Sequence, residues 1–165
     1  MLKGHKMGFN LYGLRPRDEV GVYFRNNVWW WRPLADYVLA VCSDLFRPGE
    51  AQYWDYNDGP AVSAETAHAI GKRLRKLLAS GAVARYAAKH EAERKALPLK
   101  VCEFCDGTGD RPDLGPPEWK AACGGCNGCL GAGWVEDPLA SYPFSEDNAK
   151  DFIAFCETCG GFRIC

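Results

Sequence analysis

Apolar side chains recur at helical spacing in the part of the chain that follows Pro33. A proline costs little in the first turn of a helix, because its missing N–H has no hydrogen bond to lose there. The apolar positions recur every three to four residues, at Leu34, Tyr37, Val38, Val41, Cys42 and Leu45. This spacing predicts a helix that begins at Pro33 and buries one face, with Cys42 as a core residue.

A second helix is predicted after Ser63, a residue type that often caps helix N-termini. Its apolar face holds Ala67, Ile70, Leu74, Leu77 and Leu78. Gly81 suits the position just beyond a helix C-terminus. A third helix is predicted over about residues 82–96, and Pro98 ends it.

Strands are predicted before the first helix, over residues 8–32. β-branched and aromatic residues are concentrated between Val20 and Trp31, and Asn26-Asn27 can form a hairpin turn or a bulge. Neighbouring residues of a strand face opposite sides. The run Trp29-Trp30-Trp31 is therefore expected to place at least one indole in the core and another towards a groove.

The last part of the chain again has a regular pattern. Ser145 can cap a helix with an apolar stripe, and Phe162-Arg163-Ile164 alternates like a short strand. Residues 99–135 lack such a pattern and are too rich in Gly, Cys and Asp to bury a core of their own. The sequence thus predicts an α+β fold: a small N-terminal β-sheet or hairpin with three to four helices. Residues 1–98 form the body, 99–136 an inserted module, and 137–165 pack back on the body.

Composition narrows the class of protein. The chain has 165 residues, of which 47% are hydrophobic and 25% charged, so it is neither a disordered chain nor a coiled-coil rod. A net charge of −1 argues against a dedicated polyanion binder. The chain has no apolar run of membrane length and no signal peptide at the start, so a cytoplasmic location without membrane contact is expected.

Cysteine is the unusual residue in this composition. Eight of the nine cysteines follow residue 100. An odd number of cysteines without an export signal favours a metal site over a set of disulfides. The cysteines are Cys42, Cys102, Cys105, Cys123, Cys126, Cys129, Cys156, Cys159 and Cys165.

Two segments of the module share the pattern CxxCxGxG, namely 102–109 and 126–133. Two CxxC turns can supply the four thiolates of a tetrahedral zinc site. The glycines allow backbone N–H groups to turn towards the sulfurs. The predicted zinc ligands are Cys102, Cys105, Cys126 and Cys129. An iron–sulfur cluster is the alternative metal centre, and Cys123 with Cys126 is an alternative CxxC pair.

A second metal site is an open alternative. One zinc ion is expected, and a second would need the set Cys123, Cys156, Cys159 and Cys165. The segment 156–161 has the form of a zinc knuckle. The competing interpretation is that Cys156, which continues an apolar stripe, is simply part of the core.

The two CxxCxGxG segments resemble the cysteine-rich zinc domain of DnaJ-type co-chaperones, which usually holds four such repeats. The resemblance covers about 35 residues and implies one zinc ion with a structural or protein-binding role. No His-Pro-Asp tripeptide is present, so no J-domain is implied. The flanking segments 7–13, 23–34 and 160–165 resemble a family of small phage and prophage proteins. That resemblance implies a phage accessory protein whose partner is a host macromolecule, and some such proteins counter host defence.

The sequence is therefore compatible with three functions. The favoured one is binding of a host protein, with zinc in a structural role. One alternative is a small enzyme with a groove near Trp29–Trp31 and the segment Asp55–His68, although the chain lacks HExxH, P-loop and GxSxG motifs. The other is nucleic-acid binding through the basic helix over residues 71–80. The candidate contact residues are Trp29, Trp31, Arg25, Arg32, Lys72, Arg73 and Lys76.

Overall fold

Two compact units make up the chain. The computed structural model describes residues 8–56, 58–111, 113, 115, 117–122 and 124–165. The first unit consists of the chain up to Ala92 together with Tyr142–Cys165, and the second unit is Glu93–Ser141. These boundaries differ from the predicted ones at 98/99 and 136/137.

The first unit contains a three-stranded antiparallel sheet, in which the first strand of the chain is central. Its strands are β1 (Gly8–Gly13), β2 (Tyr23–Asn27) and β5 (Phe162–Ile164). Leu11 of the central strand is opposite Phe24 on one side and Ile164 on the other. The sheet thus joins the N-terminal hairpin to the end of the chain.

Helices cover the inner face of this sheet. The helices α1 (Val28–Val41) and α5 (Glu146–Thr158) pack against its strands, α2 (Ala64–Ala79) packs on α5, and α3 (Ala82–Lys95) follows α2. A Cβ atom on Gly71 of α2 would lie only 2.9 Å from Glu157 Cγ and 3.3 Å from Cys156 Cβ, so glycine allows α2 and α5 to approach closely. No helix in the described residues has both the length and the apolar composition needed to cross a membrane.

The predicted α+β class is confirmed by this combination of a small antiparallel sheet with helices. Both predicted helix caps are also confirmed. Ser63 Oγ accepts a hydrogen bond from Thr66 N at 3.2 Å, and Ser145 Oγ accepts one from Asn148 N at 3.3 Å.

The tryptophan run lies in a helix, and the predicted strand conformation is wrong there. Asn27 Oδ1 accepts a hydrogen bond from Trp30 N at 3.0 Å, so α1 begins at Val28 and Pro33 lies inside it. Helical spacing then places Trp31 on the buried face, while Trp29 remains on the surface. A good N-cap residue immediately before the run explains the early start.

A buried carboxylate connects the loop after α1 to the start of α2. Glu50 accepts hydrogen bonds from Arg47 N (2.9 Å), Ser63 N (2.8 Å) and Thr66 Oγ1 (2.7 Å). Burial by itself would raise the pKa of Glu50. The hydrogen bonds outweigh that effect and hold the pKa below its ordinary value.

Candidate metal centre

A short β-ladder brings the two CxxC segments of the second unit together. Strand β3 (Lys100–Val101) pairs antiparallel with β4 (Trp134–Val135), and α4 (Pro117–Ala122) lies between them in the chain. Cys102 follows β3 directly, and its N–H donates to Gly133 O at 2.9 Å. The end of the second segment is therefore fastened to the beginning of the first.

The four predicted zinc ligands converge on one point. The Sγ atoms of Cys102, Cys105, Cys126 and Cys129 all lie within 4.8 Å of one another, and all four residues are buried. The Sγ–Sγ distance is 3.8 Å between Cys102 and Cys126 and 3.7 Å between Cys105 and Cys129. All four cysteines are free thiols rather than disulfides.

These distances fit a single tetrahedral metal ion. Zinc–thiolate bonds of about 2.3 Å place the sulfurs of a tetrahedron about 3.8 Å apart. A disulfide would need about 2.05 Å. The sulfur set thus has the size of a mononuclear tetrathiolate site.

Backbone donors support the sulfurs in the same way in both segments. Gly109 N donates to Cys105 Sγ at 3.3 Å, and Gly133 N donates to Cys129 Sγ at 3.1 Å. Each donor lies four residues after its cysteine and is the last glycine of its CxxCxGxG segment. Such N–H groups reduce the excess negative charge of a metal–thiolate centre.

Glycine is required at these positions by conformation and by space. Gly109 and Gly133 have φ values of 76° and 79°, in the left-handed region that L side chains rarely adopt. A Cβ atom on Gly133 would lie 2.3 Å from Gly107 O, and one on Gly109 would lie 2.4 Å from Gly131 O. The two segments therefore cross with their backbones in contact.

The thiols of the cluster have different affinities for protons. Burial raises the pKa of Cys102 to about 11, and the neighbouring thiols add to this effect. At Cys105 burial acts in the same direction, but the hydrogen bonds from Gly109 N and from the other thiols outweigh it and lower the pKa to about 7. Four thiolates this close together need a cation between them, because unpaired buried charges are costly.

The described residues do not bring the second predicted set together. Cys156 and Cys159 lie in the core of the first unit, whereas Cys165 is exposed. Cys123 lies outside the described residues. In the described part of the chain, the only group of three or more clustered metal-ligating side chains is the first set.

The other buried cysteines act as apolar core residues. Burial raises the pKa of Cys42 and of Cys159 to about 11, and it raises that of Cys156 well above the ordinary value. Neutral thiols of this kind are unreactive. The core interpretations of Cys42 and Cys156 are thus confirmed.

Of the two tryptophan contact candidates, only Trp29 is on the surface. Trp31 is fully buried, and its Nε1 donates to Trp54 O at 2.7 Å, so its assignment as a contact residue is wrong. Trp29 is 43% exposed and lies against Tyr142, with 5.0 Å between ring centroids. Arg32 lies over the same ring at 5.6 Å and donates to Tyr142 Oη at 3.1 Å. Tyr142 was missed because it is far from Trp29 in sequence.

The basic candidates lie on different surfaces. Arg25 is exposed on β2, and Lys72 and Lys76 are exposed on α2. Arg73 is engaged within the fold: its Nη2 donates to Asp44 Oδ2 at 3.0 Å and its Nη1 to Val41 O at 3.2 Å. The predicted basic helix therefore presents fewer free cations than its sequence suggests.

The cleft that His68 lines does not include the other described residues of the enzyme alternative. His68 is exposed and lines an open cleft of about 410 Å³ with Arg15, Arg17, Ala64, Glu65, Cys156, Glu157 and Gly160. Neither the tryptophan run nor Asp55 or Asp58 lines it, and Asn57 lies outside the described residues. Asp55 instead lies near Asp36, whose pKa is raised by burial first and by the charge of Asp55 second.

The functional assignment of this chain rests on its own residues, because comparisons with known proteins give no match. No protein-family model, no curated protein and no solved structure matches it. The strongest functional signal is thus the four-cysteine cluster itself. Its geometry, hydrogen bonds and burial are all local to the second unit.

Proposed function

We propose that Cys102, Cys105, Cys126 and Cys129 bind one Zn²⁺ ion and that this ion has a structural role. The proposal is carried by the spacing of the sulfurs, whose separations of 3.7 and 3.8 Å are those expected around a single tetrahedral ion. Four protein ligands close the coordination shell, so no position remains for a reacting water molecule.

The surroundings of the sulfurs support a structural role. Among the apolar side chains that the structure describes, only Val135 is partly buried against the four cysteines. A unit without an apolar core of its own can obtain its folding free energy from the metal. An iron–sulfur cluster is less favoured, because several irons and sulfides between the thiolates would hold the sulfurs further apart than one ion does.

Metal analysis of the purified chain tests this proposal. We expect one zinc per chain by elemental mass spectrometry, and tetrahedral thiolate absorption bands when cobalt replaces zinc. Cys102→Ser should lower the metal content, whereas the exposed Cys165→Ser should not. Stoichiometric iron, or full zinc content in Cys102→Ser, would overturn the assignment. Two zinc ions per chain would instead support a second set that includes Cys123.

We also propose that the chain acts by binding a macromolecule, with a host protein as the partner of a phage accessory protein. The surface cluster of Trp29, Arg32 and the half-buried Tyr142 supports this, because tryptophan, tyrosine and arginine dominate the energetic centres of protein interfaces. A role against host defence follows only from the family resemblance and is part of the same proposal.

An affinity experiment tests the binding proposal. The tagged chain would be incubated with nuclease-treated bacterial lysate, and bound proteins would be identified by mass spectrometry. We expect one stoichiometric partner that is retained by Lys72→Ala and lost with Trp29→Ala. No partner, with or without nuclease treatment, would count against binding and favour the enzyme alternative, to be followed by a metabolite screen.

A further inference from the structure

The outer face of the three-stranded sheet carries exposed side chains in the described part of the chain. Side chains of a strand alternate between its two faces, and Phe9, Leu11 and Phe24 are directed into the core. The opposite face carries Asn10 and Tyr12 of β1, Tyr23 and Arg25 of β2, and Arg163 of β5. Tyr12 is 48% exposed and Tyr23 is 41% exposed. Two aromatic rings are thus partly exposed on this face.

The two tyrosines form a fixed pair. Tyr12 and Tyr23 are directly opposite in the β1–β2 register, and their ring centroids are 5.1 Å apart. The hydroxyl of Tyr23 donates to Asn10 Oδ1, which restrains that ring on the sheet. Rings that are already ordered lose little conformational freedom when a planar ligand stacks on them.

Two arginines lie on the same sheet face as the tyrosine pair, at different distances from it. Arg163 is opposite Tyr12 in the β1–β5 register. The Arg25 guanidinium lies across β1, because its Nε and Nη2 atoms are 3.6 and 3.7 Å from where a Cβ atom on Gly8 would be. Gly8 therefore leaves room for the Arg25 side chain, whose guanidinium lies towards the start of β1, with Asn10 between it and Tyr12.

The charged side chains on this face are both arginines. The three strands contain no Asp or Glu. Within the described residues, neither Arg25 nor Arg163 has a side-chain hydrogen bond or an ion pair. The surface thus combines exposed aromatic rings with unpaired guanidinium groups, which suits a ligand that is planar in one part and anionic in another.

We infer that this open face of the sheet binds single-stranded nucleic acid, with bases stacked on Tyr12 and Tyr23 and phosphates held by Arg25 and Arg163. Unpaired bases expose the ring faces that stack on aromatic side chains, whereas a duplex hides them. A flat sheet with aromatic rings is a known platform for such stacking. This site is separate from the zinc ligands and from the Trp29 cluster, and it differs from the predicted basic helix over residues 71–80.

The number of arginines on this face predicts how strongly salt should weaken binding. Each phosphate neutralised on a single strand contributes about −0.7 to the slope of log K against log salt. Two arginines therefore give a slope of about −1.4, which is shallow for a nucleic-acid binder. A shallow slope agrees with a net charge of −1, since most of the affinity comes from stacking rather than from released counterions.

Fluorescence anisotropy with the full-length, zinc-containing chain tests this inference. The probes are labelled DNA and RNA single strands of about twelve nucleotides, within the site sizes seen for stacking surfaces. We expect binding at low salt, with a duplex of the same sequence competing at least about tenfold less well because its bases are already stacked. The separate DNA and RNA probes show which sugar the face prefers.

Matched variants test whether the nucleic acid binds to this face of the sheet. Tyr12→Ala and Tyr23→Ala should each weaken binding at least about fivefold, while Tyr12→Phe keeps the ring and should bind normally. Arg25→Gln and Arg163→Gln should each make the salt slope shallower by about 0.7. The double variant of Lys72→Ala with Lys76→Ala on α2 is the control and should leave the affinity unchanged.

Several results would overturn the inference. They are absence of binding at low salt, equal affinity for duplex and single strand, and loss of binding in the α2 control with normal binding in Tyr12→Ala. Circular dichroism and zinc content are measured for every variant, so that misfolding is separated from loss of contact. Because no zinc ligand is changed, the zinc proposal stands or fails independently of these results.

Discussion

The two units of this chain are stabilised in different ways. The first unit has a continuous core of aromatic and aliphatic side chains that includes Trp31, Trp54 and Phe152. The second unit has a centre of four sulfurs, with one partly buried valine beside it. An apolar core tolerates the loss of one contact, because many others remain. A metal centre depends on every ligand, so its unit is expected to fold or unfold with the ion.

The largest expected effect is on the second unit when a ligand is lost. Cys102→Ser, or removal of zinc by a chelator, should unfold residues 93–141, because structural zinc contributes about 10–16 kcal/mol in small zinc-dependent folds. Two-dimensional NMR should show loss of dispersed signals from this unit while those of the first unit persist. Cys165→Ser is the matched control. An unchanged spectrum and unchanged thermal unfolding after zinc removal would show that the ion does not hold the unit.

The next largest effect is on the core of the first unit. Trp31→Ala should lower its free energy of unfolding by about 3–5 kcal/mol, because it leaves a cavity and an unpaired Trp54 carbonyl. Urea unfolding followed by circular dichroism measures this change. Trp29→Ala, two residues earlier and on the surface, should cost less than about 1 kcal/mol. Equal effects of the two substitutions would contradict the helical placement of the run.

A smaller effect is expected from a glycine beside the sulfurs. Gly133→Ala should lower zinc affinity about 10- to 100-fold, because the new Cβ atom would meet Gly107 O at 2.3 Å and disturb the N–H bond to Cys129. Competition with a coloured zinc chelator measures the affinity. Gly49→Ala is the control. Gly49 also has a left-handed φ, of 89°, but no atom lies within 4 Å of the new Cβ, so the substitution tests the strain without the close approach. A normal zinc affinity in Gly133→Ala would show that this close approach is not needed.

The smallest expected effect is on the stability of the first unit at acidic pH. The pKa of Glu50 is below its ordinary value in the folded chain, so its carboxylate stabilises the fold above the unfolded pKa, about 4.5. That contribution is lost as the pH falls through the lower, folded pKa. Glu50→Gln should cost about 1–3 kcal/mol at neutral pH and should flatten the loss of stability on acidification. Urea unfolding at several pH values checks this, with the exposed Glu65→Gln as a control that should change little. A pH dependence identical to that of the unaltered chain would exclude the role of Glu50.

Features that depend on near neighbours in the chain were predictable. The stripes of α2 and α5 and the caps at Ser63 and Ser145 each involve residues within a few positions of one another. The four clustered cysteines were predictable for the same reason, because each CxxCxGxG segment contains two cysteines and the glycine that donates to one of them. The start of α1 was mispredicted because β-propensity favoured a strand up to Trp31 and the proline indicated a helix start at Pro33, whereas the Asn27 cap and the packing of Trp31 favour an earlier start.

The sequence alone thus determined the α+β class, the main helices and the convergence of four cysteines, because local spacing and capping chemistry encode these features. The tertiary structure decided which tryptophan is buried, where the two units divide, and that β5 pairs with β1. It also placed Arg163 beside Tyr12 on an open sheet face, and Tyr142 beside Trp29. Those contacts join residues more than a hundred positions apart, and their pairing is set by the packing of the whole core rather than by any local pattern.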